Sequence, residues 1–219
     1  PVIESMPQAT LAALVVAYSS RLIQPGEFRA IVRIRRTEFI WAVVAFAGVV
    51  LLGTLKGIEV GIIVSLIALC YQAANPPVHV LGRKPGTNFF RPLSSEHPED
   101  ETFPGLLILR TEGRVFFFNA ERIGDKIKTL IGKTRPTIVA MDFSGVSDLE
   151  YSALKMLTEG EKKYRERGVL LWLVSLEPAV LAVVQRSPLG QALGRDRMLF
   201  TLEQAVAKHQ ARFAQSTAP

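Results

Sequence analysis

Residues 146–157 read VSDLEYSALKML and gather Ser147, Asp148, Glu150, Tyr151 and Ser152 into one short segment. A serine becomes a nucleophile beside a base that takes its proton, and no histidine or lysine base is identifiable beside Ser152. Nucleophilic catalysis is therefore not the expected use of this segment. Ser147 and Glu150 have the S-x-x-E spacing of a capping box, in which the serine oxygen accepts from an early helix amide and the glutamate reaches back. Ser152 then falls in the first turn of the helix, where the positive end of the helix dipole would tolerate a phosphate. The role that follows from the residues themselves is Ser147 and Glu150 as a helix cap.

Other chemistry is poorly provided for. His79, His97 and His209 lie far apart and show no ligand spacing, so no metal site is expected. A single cysteine, Cys70, excludes an internal disulfide framework and a cysteine-based zinc site. The chain offers no paired carboxylates in a credible pocket, no glycine loop to cradle a phosphate and no catalytic triad. Neither an enzyme nor a cofactor-bearing protein is expected. The formal charge of +6 lacks the compact basic patch interleaved with aromatics that nucleic acid requires, so no nucleic-acid partner is expected.

The elements that position residues 146–157 read as an α/β domain over 105–213, followed by a tail at 214–219. LLILR (106–110) and RVFFF (114–118), separated by TEG, have the pattern of a β-hairpin or of two adjacent strands. Asn119 is placed to cap a helix from Ala120, with Ile123, Ile127 and Leu130 at helical spacing and Gly132 at its end. TIVAMDF (137–143) is a continuous apolar run, as expected of a central strand covered on both faces. The segment 146–157 leads from that strand into a helix that carries Leu154, Leu157 and Tyr164 on one side and closes at Gly168. VLLWLV (169–174) is a second buried strand, EPAVLAVVQRS a helix with Pro178 in its first turn, and MLF a short last strand. Thr201 with Gln204 has capping-box spacing for the final helix. Alternating strands and helices imply a mixed, partly parallel sheet with helices packed on it.

The first third of the chain is chemically different. Between Arg36 and Lys56 the only charge is Glu38, and the intervening helix would be about 30 Å long, the thickness of a bilayer's hydrocarbon core. VGIIVSLIALCYQAAN then runs uncharged to Pro76 and Pro77, which stop a helix. The sequence predicts C-terminal transmembrane helices within 1–76, at about 7–23, 37–55 and 59–75, with LKGIE as the turn between the last two. The loop 24–36 carries Arg29, Arg33, Arg35 and Arg36 interleaved with Phe28, Ile31, Val32 and Ile34, the pattern of a short amphipathic helix on the inner membrane surface. The basic loop and the residues after Pro76 are placed in the cytoplasm by the positive-inside rule. Residues 77–104, rich in proline, glycine, serine and charge, read as a linker. The chain opens on Pro1 without a signal peptide, as expected of the C-terminal piece of something longer.

The order of elements, with DFSGVSDLEYSALKML at a strand-to-helix junction, resembles a STAS domain, the fold shared by bacterial anti-sigma-factor antagonists and the cytoplasmic tails of sulfate permease (SulP) anion transporters. The run from LAALVVAYSSRLI through GIEVGIIVSLIALCYQAANPPVHVLGRKPGTNFFRP is similar to the end of the SulP membrane domain and its join to that tail. The resemblance covers nearly the whole chain and is most specific over 57–92 and 137–157. It implies the C-terminal fragment of a secondary active inorganic-anion transporter of a bacterial inner membrane, with gate helices and a regulatory, dimerising STAS domain in the cytoplasm. The implied partners are the lipid membrane, a second copy of the chain, and the N-terminal transmembrane core of the same protein. The anion, which could be sulfate, bicarbonate, chloride or a dicarboxylate, would bind between half-helices upstream of Pro1. In the antagonist branch the turn before the helix usually reads D-S-S-G or D-S-T-G and is phosphorylated. Here Glu150, Tyr151, Ser152 and Ala153 stand in that place, so the resemblance implies a regulatory turn at Glu150, Tyr151 and Ser152 in which the first hydroxyl belongs to tyrosine and the glycine is gone. The competing expectation is a membrane-tethered STAS signalling module that transports nothing.

Overall fold

The computed structural model describes residues 8–22 and 24–217. The chain divides into two compact units, Pro1–Cys70 and Tyr71–Pro219.

The first unit contains α1 (Gln8–Leu22), α2 (Pro25–Ile34), α3 (Arg36–Leu52) and most of α4 (Thr54–Ala74). Pro7 and Ile23, the expected ends of the first span, lie outside the described residues. In α2, Phe28, Ile31 and Val32 fall on one side and Arg29 and Arg33 on another, as the 3.6-residue repeat requires. The turn between α3 and α4 is shorter than expected. Gly53, at φ 85°, makes the break alone, and Lys56 and Glu59 already belong to α4. Gly57 is held in the helix by packing: a Cβ there would stand 2.4 Å from the Cα of Val49. A Cβ at Gly48 would meet the Val60 side chain at 3.4 Å, an ordinary contact, so the close approach of α3 and α4 depends on Gly57. Among the described residues one helix, α4, with 21 residues, is long and apolar enough to cross a membrane. With 17 residues, α3 sits at the lower limit of a crossing.

The second unit is built on a six-stranded sheet in the order β2-β1-β3-β4-β5-β6. Its strands are β1 (Val78–Arg83), β2 (Phe90–Pro92), β3 (Leu106–Glu112), β4 (Ile138–Gly145), β5 (Leu170–Val174) and β6 (Met198–Leu199). From β3 to β6 neighbouring strands run parallel, while β1 is antiparallel to both β2 and β3. The crossovers are α5 (Phe117–Thr134), α6 (Tyr151–Arg165) and the pair α7 (Pro178–Gln185) and α8 (Pro188–Leu193). Alternate residues of each strand point to opposite faces. Leu107, Leu109, Val139, Met141, Leu171 and Leu173 meet α5 to α8 in one core. Ile108, Ala140, Trp172 and Val174 form a second core with Leu202, Ala205 and Val206 of α9 (Leu202–Thr217).

Three expectations are corrected here. Residues 77–104, read as a linker, supply β1 and β2. The charges that gave the segment its linker composition are consumed in pairs: Arg83 donates to Glu101, and Arg91 donates from Nε to Asp100 over 2.8 Å. The Arg91 guanidinium holds the Asp100 carboxyl below the usual carboxylate range, and Asp100 in turn raises the pKa of Arg91. RVFFF is not the second strand of a hairpin. Gly113, at φ 83°, turns the chain, Val115 makes one bridge to Leu149, and Phe117 and Phe118 are already in α5. That helix runs past Gly132 to Thr134.

Candidate functional site at the start of α5 and α6

Strands β3 and β4 end side by side, and the segments leaving them stay in contact. Val115 donates its N–H to the carbonyl of Asp148 and accepts from the N–H of Glu150. Residues 146–150 are thereby held extended, and α6 begins only at Tyr151. The cap expected from Ser147 does not form: Ser147 is exposed upstream of the helix, Glu150 is the N-cap residue, and no side chain caps the helix. Glu150 instead lies 3.5 Å from Arg114, which also donates to Asp148 over 2.8 Å. The turn itself is anchored from below. Asp142, buried at the end of β4, accepts from Arg110 and from the N–H of Ser144.

Within the expected regulatory turn, Tyr151 is 81 % exposed and points its ring to solvent. Ser152, one residue later, is half-buried at the end of a cleft of about 500 Å³ between α5 and α6. Ile127, Ile131, Met156, Leu157 and Tyr164 line its apolar interior. Burial raises the pKa of the Tyr164 hydroxyl. Ser152 and Tyr151 therefore face different surroundings although both stand in the first turn of α6. Among the described residues no three of histidine, cysteine, aspartate or glutamate gather as metal ligands.

Asn119 has a role that its sequence position only half reveals. It lies inside α5, at the third helical residue, and its oxygen accepts from the N–H of Phe116, which satisfies one of the free amides at the helix start. Its nitrogen donates twice, to the carbonyl of Arg114 over 2.9 Å and to that of Ala73 over 3.0 Å. Arg122, three residues on, donates to the side chain of Asn75 over 2.7 Å, and Lys126 to the carbonyl of Pro76 over 2.8 Å. One face of α5 thus takes up the end of α4 and the residues just past it, where a helix has carbonyls without internal partners. Cation and amide donors at a helix C-terminus also suit its negative dipole end. The sequence signal for this contact was the polar spacing of Asn119, Arg122 and Lys126, but nothing in it named the partner.

The match to known families follows this architecture. Residues 97–207 match the STAS domain family. The chain belongs to that family. It also aligns over most of its length with the C-terminal portion of sulfate transporters. It is 28% identical over 95% of its length to high affinity sulfate transporter 2 of Stylosanthes hamata, covering 33% of that protein. A probable sulfate transporter of Mycobacterium tuberculosis is 27% identical over 94% of the chain, with 37% of that protein covered. The chain thus spans about a third of the length of the relatives it matches. Among solved structures, the murine Slc26a9 anion transporter in the inward-facing state superimposes with a TM-score of 0.76 at 21% identity, over 94% of this chain and 34% of that one. The STAS domain here therefore follows helices in the same order as in a membrane transporter fold.

Proposed function

We propose that this chain is the C-terminal part of a secondary active transporter of sulfate or a related inorganic anion. The observation that carries the proposal is the continuous alignment of 95% of the chain, apolar helices included, with sulfate transporters. A STAS domain alone would have matched only the second unit. The length and composition of α4 support the same reading, because 21 apolar-rich residues rise about 31 Å, the depth of the hydrocarbon core. In this reading α1, α3 and α4 lie in the membrane, α2 rests on its inner surface, and the STAS domain is cytoplasmic. The last helices serve as part of the gate. Tyr151 and Ser152 form a regulatory turn open to a modifying partner, and the assembled protein is a homodimer.

An anion site in the membrane needs satisfied polar groups and positive helix ends at the midplane. Neither α3 nor α4 has an internal proline, and no arginine or lysine lies between Glu38 and Lys56. The site therefore belongs to the longer polypeptide. The test compares uptake of labelled sulfate into proteoliposomes. The longer polypeptide is expected to show saturable uptake that unlabelled sulfate competes away, and the 219-residue chain to leave vesicles as tight as empty ones. Saturable uptake by the chain alone would place the site in these helices. Absence of uptake of sulfate, bicarbonate, chloride and dicarboxylates by the longer polypeptide would favour a tethered signalling module.

A further inference from the structure

Three consecutive phenylalanines stand at the start of α5, and burial does not explain them. Phe117 is 71 % exposed, and Phe118 is exposed beside it. Their rings and that of Phe116 form one cluster with centroids 5.7 to 6.3 Å apart. A soluble domain gains nothing by presenting such a cluster to water. Its place in the fold is informative. Asn119, the next residue, is bonded to the carbonyl of Ala73 in the last turn of α4, and Arg122, one turn beyond Phe118, is bonded to Asn75. The cluster therefore sits within a few residues of the point where α4 ends. Tyr71, in that same last turn, is also exposed.

We infer that Phe117 and Phe118 insert at the headgroup level of the lipid bilayer, where they anchor the STAS domain to the membrane surface. The inference rests on the reading of α4 as a membrane span. Counted from Thr54, the hydrocarbon core ends after about 20 residues, in the last turn of α4. Phenylalanine rings on a helix at the membrane surface bury into the boundary between headgroups and acyl chains. Arg122 and Lys126, at the i+4 and i+8 positions after Phe118, are bonded to Asn75 and Pro76 just past α4 and bring positive charge to that end of the span, the sign that attracts anionic headgroups. The occupant is the lipid surface rather than another protein because Asn119, the residue next to the rings, is bonded to Ala73 in the last turn of the proposed span.

The test uses the whole 219-residue chain with Cys70→Ala, reconstituted in vesicles of phosphatidylcholine and phosphatidylglycerol. A nitroxide is attached in turn at Phe117→Cys, Phe118→Cys, Ile63→Cys within α4 and Arg167→Cys in the turn that follows α6. All four positions are exposed, so the substitutions leave the cores intact. Collision rates with oxygen, which favours lipid, and with a water-soluble nickel chelate give the depth of each label. Labels at 117 and 118 are expected to show an oxygen-to-nickel ratio several-fold above that at 167 and below that at 63. A ratio at 117 and 118 equal to that at 167 would overturn the inference, since the cluster would then face water. Immobile labels reached by neither reagent would also overturn it, in favour of a protein surface covering the cluster. A water-like ratio at 63 would remove the span itself, and the failure would then lie in the reading of α4.

Discussion

The Asn119 side-chain nitrogen donates to the carbonyl of Ala73 across 3.0 Å, joining residues 46 positions apart. Asn119 is 2 % exposed and uses both its oxygen and its nitrogen, so no water can replace what a truncation removes. Asn119→Ala leaves the Phe116 amide and the Ala73 and Arg114 carbonyls short of a partner. The expected cost is about 1–3 kcal/mol. Asn119→Asp keeps the acceptor and loses both donations, so it is destabilised as well. Urea unfolding of the chain in detergent, followed by Trp172 fluorescence in a Trp41→Phe background, measures both. Unchanged stability of Asn119→Ala would mean that the contact with Ala73 carries no weight.

The two serines before helices should separate cleanly. Ser187 donates to the Val184 carbonyl over 2.6 Å and accepts from the Gly190 amide, capping α8 in a buried place. Ser187→Ala is expected to cost about 0.5–2 kcal/mol. Ser147→Ala, at an exposed position outside α6, should stay within about 0.5 kcal/mol of the parent. The same unfolding measurement compares them, and a larger loss at Ser147 would restore the cap that its spacing suggested.

His209 gives the domain an acid-sensitive element. It is buried on α9, its Nδ1 has no hydrogen-bond partner among the described residues, and burial lowers its pKa below the ordinary histidine value. The folded state thus keeps the ring neutral where the unfolded chain already binds a proton, near pH 6.5. Stability is complete above that value, falls as pH drops through it, and stops falling below the lowered folded value. His209→Phe should flatten the fall in stability that sets in as pH drops through about 6.5. Asp100, whose folded pKa is depressed, adds a loss only further into acid, so the two windows are distinct. A profile equally steep in His209→Phe would assign the acid sensitivity to other groups.

The parts of the fold legible in the sequence were those whose signal is local. TIVAMDF and VLLWLV are strands because an uninterrupted apolar run of that length suits a strand covered on both faces. Thr201 and Gln204 do cap α9: Thr201 accepts from the Gln204 amide, while the Gln204 side chain accepts from Phe200 rather than Thr201. What stayed hidden depends on partners far along the chain. β1 and β2 carry arginines that find Glu101 and Asp100, so their composition reads as a linker while their pairing is that of a sheet. Three aromatics in RVFFF suggest a strand, but Gly113 and the bridge from Val115 to Leu149 turn them into a helix start. That same bridge delays α6 to Tyr151 and disarms Ser147. Glu161 reads as one more surface charge on a helix, yet it is buried and bonded to Arg197 over 2.6 Å, tying α6 to the segment after α8. For the candidate site, the resemblance to a STAS turn pointed to Glu150, Tyr151 and Ser152, and the fold alone showed that Asn119 and Arg114 stand between that turn and the end of α4.

We propose that the apolar helices lie in a membrane and that the STAS domain faces the cytoplasm. Single cysteines at Thr54→Cys, beside the Gly53 break, and at Ser94→Cys, in the exposed segment after β2, test it in a Cys70→Ala background. Intact cells are treated with a membrane-impermeant thiol reagent, then compared with permeabilised cells. Position 54 is expected to label in intact cells, and position 94 only after permeabilisation. Labelling of position 94 in intact cells in preference to position 54 would reverse the orientation and contradict the account.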